Sequence, residues 1–192
     1  MAKPAKGKRI IIGLTSLPGG GKDFIADLLV KDFGFYKVSP GDITRELLRK
    51  HLGEKFSRED QENLSAKLRA KYGQAYIMEL CYAEIKKSKK NRIVIPGIRQ
   101  PKDVQFYKER EDGNFKNIYI DASENVRYER MITRNRVDVP VSFEEFKKQD
   151  RYQEEHYKIS QTRKMSDFEV KNNIDSEEQL KQTLEEILPK LL

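Results

Sequence analysis

An α/β fold is what the sequence predicts: one sheet of five parallel strands with helices on both faces. Three observations point there. Short, continuously apolar runs alternate with amphipathic helical patterns along the chain after residue 8, and such runs are strands buried on both faces. A glycine-rich turn, Ser16-Leu-Pro-Gly-Gly-Gly-Lys22, joins the first apolar run to the first helix. The 192 residues are enough for one α/β domain with a sizeable core.

The elements follow in order. Residues 9–14 read as the first strand, and residues 22–33 as a helix that stops before Gly34. Phe35–Ser39 is a short second strand. Pro40 opens the next helix, with Ile43, Leu47 and Leu48 on one face; Asp42 either caps it or lies in its first turn. Ser57-Arg-Glu-Asp60 is a helix start, a hydroxyl N-cap with an acid three residues on. That helix runs towards Lys71. Gly73 breaks the pattern, and another helix carries Ala75 to about Lys87, leaving through the solvated basic run Lys86–Arg92. Arg92–Ile95 is the third strand, Pro96-Gly-Ile-Arg99 the turn after it, and about Lys102 to Arg110 the helix that follows. Asn117–Asp121 is the fourth strand. Ser123 starts a helix rich in arginine, with Arg127, Arg130, Arg134 and Arg136. Residues 137–165 are polar, with one short helix expected near Phe143–Phe146. Asp167–Val170 is the fifth strand, and Ser176 opens a last helix with Leu180, Leu184, Ile187 and Leu188 on its apolar stripe.

Composition narrows the function classes. Hydrophobic residues make up 37% and charged residues 36%, grouped in periodic runs, which excludes a disordered chain. The formal charge is +7, from 38 Lys+Arg against 31 Asp+Glu. That excess suits phosphorylated small molecules and permits weak nucleic-acid contact. No aromatic platform interleaved with basic residues is visible, which argues against a dedicated nucleic-acid fold. Part of the charge lies at the start, and residues 1–8 are expected to be a flexible basic tail ahead of a single domain over 9–192. Cys81 is the only cysteine, at a core-like helical spacing, so no intramolecular disulfide forms and a cytoplasmic location is expected. No apolar run approaches the length of a membrane span, and no secretory h-region is present. His51 and His156 have no Cys/His neighbours at metal spacing, so no zinc site is proposed.

The glycine turn carries the chemistry. Strand, glycine-rich loop and helix N-terminus are the order that a phosphate-binding loop needs. Glycines let consecutive N–H groups converge on an anion, and Lys22 brings a positive charge to the outer phosphates. Against the pattern G-x-x-x-x-G-K-[ST], Gly21 and Lys22 fit, Ser16 stands at the first glycine, and Asp23 stands where a Mg²⁺-ligating hydroxyl is usual. Asp23 can meet the metal as a carboxylate, directly or through water. Ser16–Lys22, Ser39–Asp42, Pro96–Arg99 and Asp121–Ala122 all follow strand ends, so they should meet in one cleft.

Several motifs in this order resemble one family. They are Ile12–Lys22, Ser39-Pro-Gly-Asp-Ile-Thr-Arg45, Lys71-Tyr-Gly73, Ile95-Pro-Gly-Ile-Arg99 and Asp167-Phe-Glu-Val-Lys-Asn172. Together they resemble a P-loop nucleotide kinase of the adenylate-kinase-like group, and above all the archaeal-type dephospho-CoA-kinase-like nucleotide kinases. The Gly-Lys-Asp variant is also similar to phage deoxynucleoside monophosphate kinases and animal-type phosphomevalonate kinases. The resemblance implies a three-layer P-loop kinase fold with acceptor-side helices at about 40–90 and a small helical lid at about 135–165.

It also implies roles. Ser16, Pro18, Gly19, Gly20, Gly21, Lys22, Asp23 and Phe24 would surround the phosphates of ATP, with Asp23 towards Mg²⁺. Ser39, Gly41, Asp42 and Arg45 match the acceptor-side motif, where Arg45 would hold the acceptor's phosphate; Gly97 and Arg99 match the turn that touches the same phosphate. Arg130, Arg134 and Arg136 match the start of the lid, and Asn172 would line the purine pocket. Lys22, Arg99, Arg134 and Arg136 would neutralise charge during transfer. Each has a plainer alternative: a helix surface for Arg45, a loop salt bridge for Arg99, a solvated helix face for the arginine cluster, turn chemistry for Asn172. The resemblance breaks at Pro96, where relatives carry an acid that holds Mg²⁺ through water; Asp23, Asp42 and Asp121 are the candidates to replace it.

The function expected is ATP-dependent, Mg²⁺-requiring transfer of a phosphoryl group to a small phosphorylated acceptor, first a nucleoside monophosphate and second dephospho-CoA. A nucleotide-binding switch or RNA-associated factor is the alternative of another class. Monomer and homodimer are both open.

Overall fold

The computed structural model describes residues 9–111, 113–133, 140, 142–173 and 176–191. The expected basic tail therefore lies outside the described residues, as do Arg134 and Arg136.

Five strands make one sheet in the order β2-β3-β1-β4-β5. They are β1 (Ile10–Thr15), β2 (Tyr36–Lys37), β3 (Arg92–Pro96), β4 (Phe115–Asp121) and β5 (Phe168–Lys171). Every pairing is parallel. The helices between them are α1 (Lys22–Phe33), α2 (Pro40–Leu52), α3 (Arg58–Tyr72), α4 (Tyr76–Ser88), α5 (Pro101–Arg110), α6 (Glu124–Ile132), α7 (Phe143–Tyr157), α8 (Ile159–Lys164) and α9 (Glu177–Leu191).

Successive strand residues serve opposite faces, which is why the central strands β1 and β3 are apolar over Ile10–Leu14 and Ile93–Ile95. Ile12 and Val94 join the core under α1 and α9, with Leu29, Leu180 and Leu184. Ile11, Ile93 and Ile95 join the other core, under α4 and α5, with Met78, Val104 and Tyr107. Cys81 is buried in this second core. Burial pushes its thiol well above the ordinary value, which makes it a packing residue rather than a nucleophile.

One expectation needs correction. The segment after α6 was expected to hold one short helix near Phe143–Phe146; it holds the 15-residue α7 and then α8. Ser142 caps α7 by accepting the Glu145 N–H at 3.2 Å. The buried side is Phe146, Gln153 and Tyr157. A stripe with a glutamine in the middle and charge on every other face gives a weak periodic signal.

The topology fixes where a ligand sits. β1 is central, with β3 on one side and β4 on the other. The loops that follow these strands open at the carboxyl edge of the sheet, where ligands of such folds bind.

Candidate active site

The glycine loop leaves β1 and enters α1. Gly20 N–H donates to Leu17 O at 3.1 Å, closing a turn. Gly19 and Gly21 have φ of +82° and +91°, a region that L side chains rarely adopt. Each also lacks room: a Cβ on Gly19 would lie 2.5 Å from Arg127 O, and one on Gly21 would lie 2.3 Å from Asn172 Nδ2. Ser16 lies under Gly20, where a Cβ on the glycine would come 2.8 Å from its own.

Side chains hold the loop from behind by its carbonyls. Asn172, buried, donates from Nδ2 to Gly20 O at 2.9 Å. Arg130 Nη1 donates to Asn172 O at 2.9 Å. Arg127 Nη1 donates to Pro18 O at 3.1 Å, and its Nε donates to Ala122 O at 3.1 Å. The same guanidinium pairs with Asp150 of α7 and lies 5.0 Å from the Phe146 ring centre. With carbonyls bound on one side, the loop and the start of α1 present N–H groups on the other. The N-cap of α1, Gly21, makes no side-chain cap, so the orphan donors of the first turn and the positive dipole end face an incoming anion.

Lys22 and Asp23 are joined by an ion pair at 2.8 Å, and the Asp23 side chain is 47% exposed. Phe24 is exposed beside them. Among the described residues, no three His, Cys, Asp or Glu side chains cluster as a metal cage. That donor set fits Mg²⁺ held by phosphate oxygens, water and one carboxylate, and does not fit an all-protein site.

A second set of residues gathers at the start of α2. Ser39 is the N-cap and accepts the Asp42 N–H at 3.2 Å, so the cap is Ser39 and Asp42 lies in the first turn. Arg45 pairs with Asp42 along the same helix. Gln61 of α3 donates to Gly41 O at 2.9 Å and to Thr44 Oγ1 at 2.7 Å, tying α3 to the start of α2.

The turn after β3 closes onto this set. Gly97 N–H donates to Leu14 O at 3.0 Å, next to the register pair Leu14 and Pro96. A Cβ on Gly97, whose φ is +118°, would lie 3.8 Å from Pro40 Cγ. β1 and β3 are neighbours, so the glycine loop and the turn carrying Arg99 border the same cleft.

Arg99 is held at three points. Its N–H donates to Asp103 Oδ2 at 3.1 Å, its carbonyl accepts the Thr162 hydroxyl at 2.8 Å, and its guanidinium lies 5.0 Å from the Tyr157 ring centre. Asp103 is fully buried and also accepts the Gln100 N–H at 3.1 Å and Arg69 Nη1 at 3.0 Å.

The predicted site residues thus fall into two groups. Ser16 to Phe24, Arg130 and Asn172 gather at the glycine loop; Ser39, Gly41, Asp42, Arg45, Gly97 and Arg99 gather beside it. The Asn172 side chain is engaged with Gly20 O rather than directed at a purine. Of the alternative metal carboxylates, Asp42 meets Arg45, and Asp121 meets Arg163 at 3.4 Å. Sequence reasoning missed Asp103, Arg69 and the Arg127–Asp150 pair. Asp103 left one trace, an acid three residues after Gln100 at a helix start; Arg69 and Asp150 left none.

No protein-family model matches the chain. Curated relatives do. A UPF0200 protein of Pyrococcus abyssi is 33% identical over 186 residues, covering 95% of this chain and 97% of that protein. The chain belongs to the UPF0200 family. A UPF0200 protein of Methanothermobacter thermautotrophicus is 30% identical over 141 residues, covering 73% of this chain and 70% of that protein.

Solved structures extend the comparison to the fold of this UPF0200 member. Shikimate kinase from Bacteroides thetaiotaomicron is similar with a TM-score of 0.65 and 14% identity, over 94% of this chain and 98% of that one. TT1252 from Thermus thermophilus is similar with a TM-score of 0.63 and 21% identity, over 96% and 99%. The fold is that of the P-loop kinases.

Proposed function

We propose that this UPF0200 protein is an ATP-dependent phosphotransferase that acts on a small acceptor already carrying a phosphate, first a nucleoside monophosphate. One observation supports the reading: β1 and β3 are adjacent, so the loop carrying Lys22 and the turn carrying Arg99 leave the same edge of the sheet, and Gly97 of that turn lies beside Pro40 at the start of the helix that carries Arg45. A fold that binds only a triphosphate needs the glycine loop alone.

The chemistry asks little covalent work of the protein. An acceptor phosphate oxygen forms a bond to the γ-phosphorus, and the bond to the β–γ bridging oxygen breaks with its electron pair left on ADP. No proton has to be removed from an ionised acceptor phosphate. The Lys22 side chain and the N–H groups of Gly19, Gly21 and Lys22 hold the donor phosphates. Arg45 and Arg99 hold the acceptor's phosphate, for which planar guanidinium forks are suited. Asp23 is the carboxylate that would hold Mg²⁺, directly or through water, and the ion would neutralise charge on the donor phosphates. We assign α7, α8 and the segment before them, with Arg134 and Arg136, to a lid over about 135–165 that excludes water.

The test is a screen for ADP release. Nucleoside monophosphates, dephospho-CoA and, given the structural neighbours, shikimate are offered with ATP and Mg²⁺. Acceptor-dependent turnover that falls at least about 100-fold in Lys22→Ala supports the reading. Tight ATP binding with no turnover on any acceptor would favour a nucleotide-binding switch, which Pro96 in the place of an acid also suits.

A further inference from the structure

Tyr152 and His156 stand one helical turn apart on α7, their rings 9° from parallel and their centroids 5.4 Å apart. Both are exposed, Tyr152 by 50%. The buried side of α7 is formed by Phe146, Gln153 and Tyr157, so packing of the helix does not account for the pair. Its position is specific. His156 meets Tyr157 edge-on at 4.6 Å, and Tyr157 lies under the guanidinium of Arg99 at 5.0 Å.

Helix α3 is tied to the acceptor-side motif. Gln61 there is bonded to Gly41 O at the acceptor-side motif. Partial burial, and then the carboxylate of Glu62 on α3, raise the Tyr152 phenol above its ordinary value. A phosphate held by Arg99 is therefore two ring contacts from the Tyr152–His156 pair.

We propose that Tyr152 and His156 are a stacking platform for the heterocyclic base of the acceptor, so that the acceptor is a nucleoside monophosphate and not a sugar or alcohol phosphate. This rests on the phosphotransferase reading above. An aromatic face gains from stacking on any base, whereas a sugar phosphate has no π-face to lay on it. Arg45 and Arg99 supply phosphate affinity, and the platform supplies the discrimination.

Calorimetric titration separates these parts. The wild-type chain, Tyr152→Ala, Tyr152→Phe and His156→Ala are titrated with AMP, CMP, GMP, UMP and ribose 5-phosphate, and each also with ATP. We expect at least one nucleoside monophosphate to bind about tenfold or more tightly than ribose 5-phosphate. Tyr152→Ala and His156→Ala should each remove most of that advantage and leave ribose 5-phosphate unchanged; Tyr152→Phe should retain it. Equal affinity for ribose 5-phosphate and every nucleoside monophosphate overturns the platform while the phosphate site stands. So does an advantage that survives Tyr152→Ala, or an equal loss for all five ligands. If ATP binds and no monophosphate ester does, the acceptor reading itself fails.

Discussion

Two aspartates decide most of what the individual side chains say. Asp23 pairs with Lys22 at 2.8 Å at the end of the glycine loop. On the proposed reading its charge would oppose ATP without metal and serve when Mg²⁺ binds. Asp23→Asn is expected to bind ATP several-fold more tightly in EDTA and to gain much less from added Mg²⁺ than the wild type, as read by calorimetry; the like-charge term removed is about 1 kcal/mol at a half-exposed site. Asp103 acts at a distance. Its carboxylate accepts from the Arg99 and Gln100 N–H groups and from Arg69. Asp103→Ala leaves the Arg69 guanidinium buried without its acid, which costs about 3–5 kcal/mol and should lower the urea midpoint sharply. Asp23 was legible, because a glycine loop ending in lysine advertises the next residue. Asp103 and Arg69 were not, since a pair 34 residues apart has no local pattern.

The strands and their flanking helices were legible almost to the residue. Short apolar runs between turn signals fit doubly buried strands, and Gly34 and Gly73 stop helices by taking φ of +70° and +109° themselves. Ser57 and Asp60 form the capping box that their spacing announced, with Asp60 accepting the Ser57 N–H at 2.7 Å. Those bonds hold the Asp60 carboxyl below its ordinary value of 3.8. The native state binds this proton less readily than the unfolded chain, so the cap's contribution is fully present above that value, declines as pH falls below it, and is gone once pH has passed the lower native value. Hydrogen exchange, corrected for intrinsic rates, should show the first turn of α3 opening more at pH about 3 than at pH about 5, with the difference absent in Asp60→Asn. α7 was not legible, because its stability comes from Arg127, Asp150 and the Phe146 ring rather than from an apolar stripe. Asp150→Ala should cost about 2–3 kcal/mol and weaken ATP binding, because Arg127 also donates to Pro18 O in the loop.

At the scale of the whole molecule, the sheet order brings the parts together. Placing β1 between β3 and β4 makes neighbours of the glycine loop and the Arg99 turn, which lie more than 75 residues apart in the chain. Thr162 and Tyr157 then connect that turn to α8 and α7, and Arg127 connects α7 to the glycine loop. The glycine loop, the Arg99 turn and helices α7 and α8 are one connected structure. The sequence carried the loop and the turn as motifs but not this closure, which depends on long-range polar contacts. No helix among the described residues is long and apolar enough to cross a membrane.

The central claim, two anion stations on one cleft, is tested most directly by a single ligand that fills both. A dinucleoside pentaphosphate spans a triphosphate site and a monophosphate site in line. Its dissociation constant should be at least about 100-fold below that of ATP, with the advantage lost in Arg99→Ala and Arg45→Ala and all binding lost in Lys22→Ala. A pentaphosphate that binds no more tightly than ATP, and that ignores Arg45 and Arg99, would contradict it.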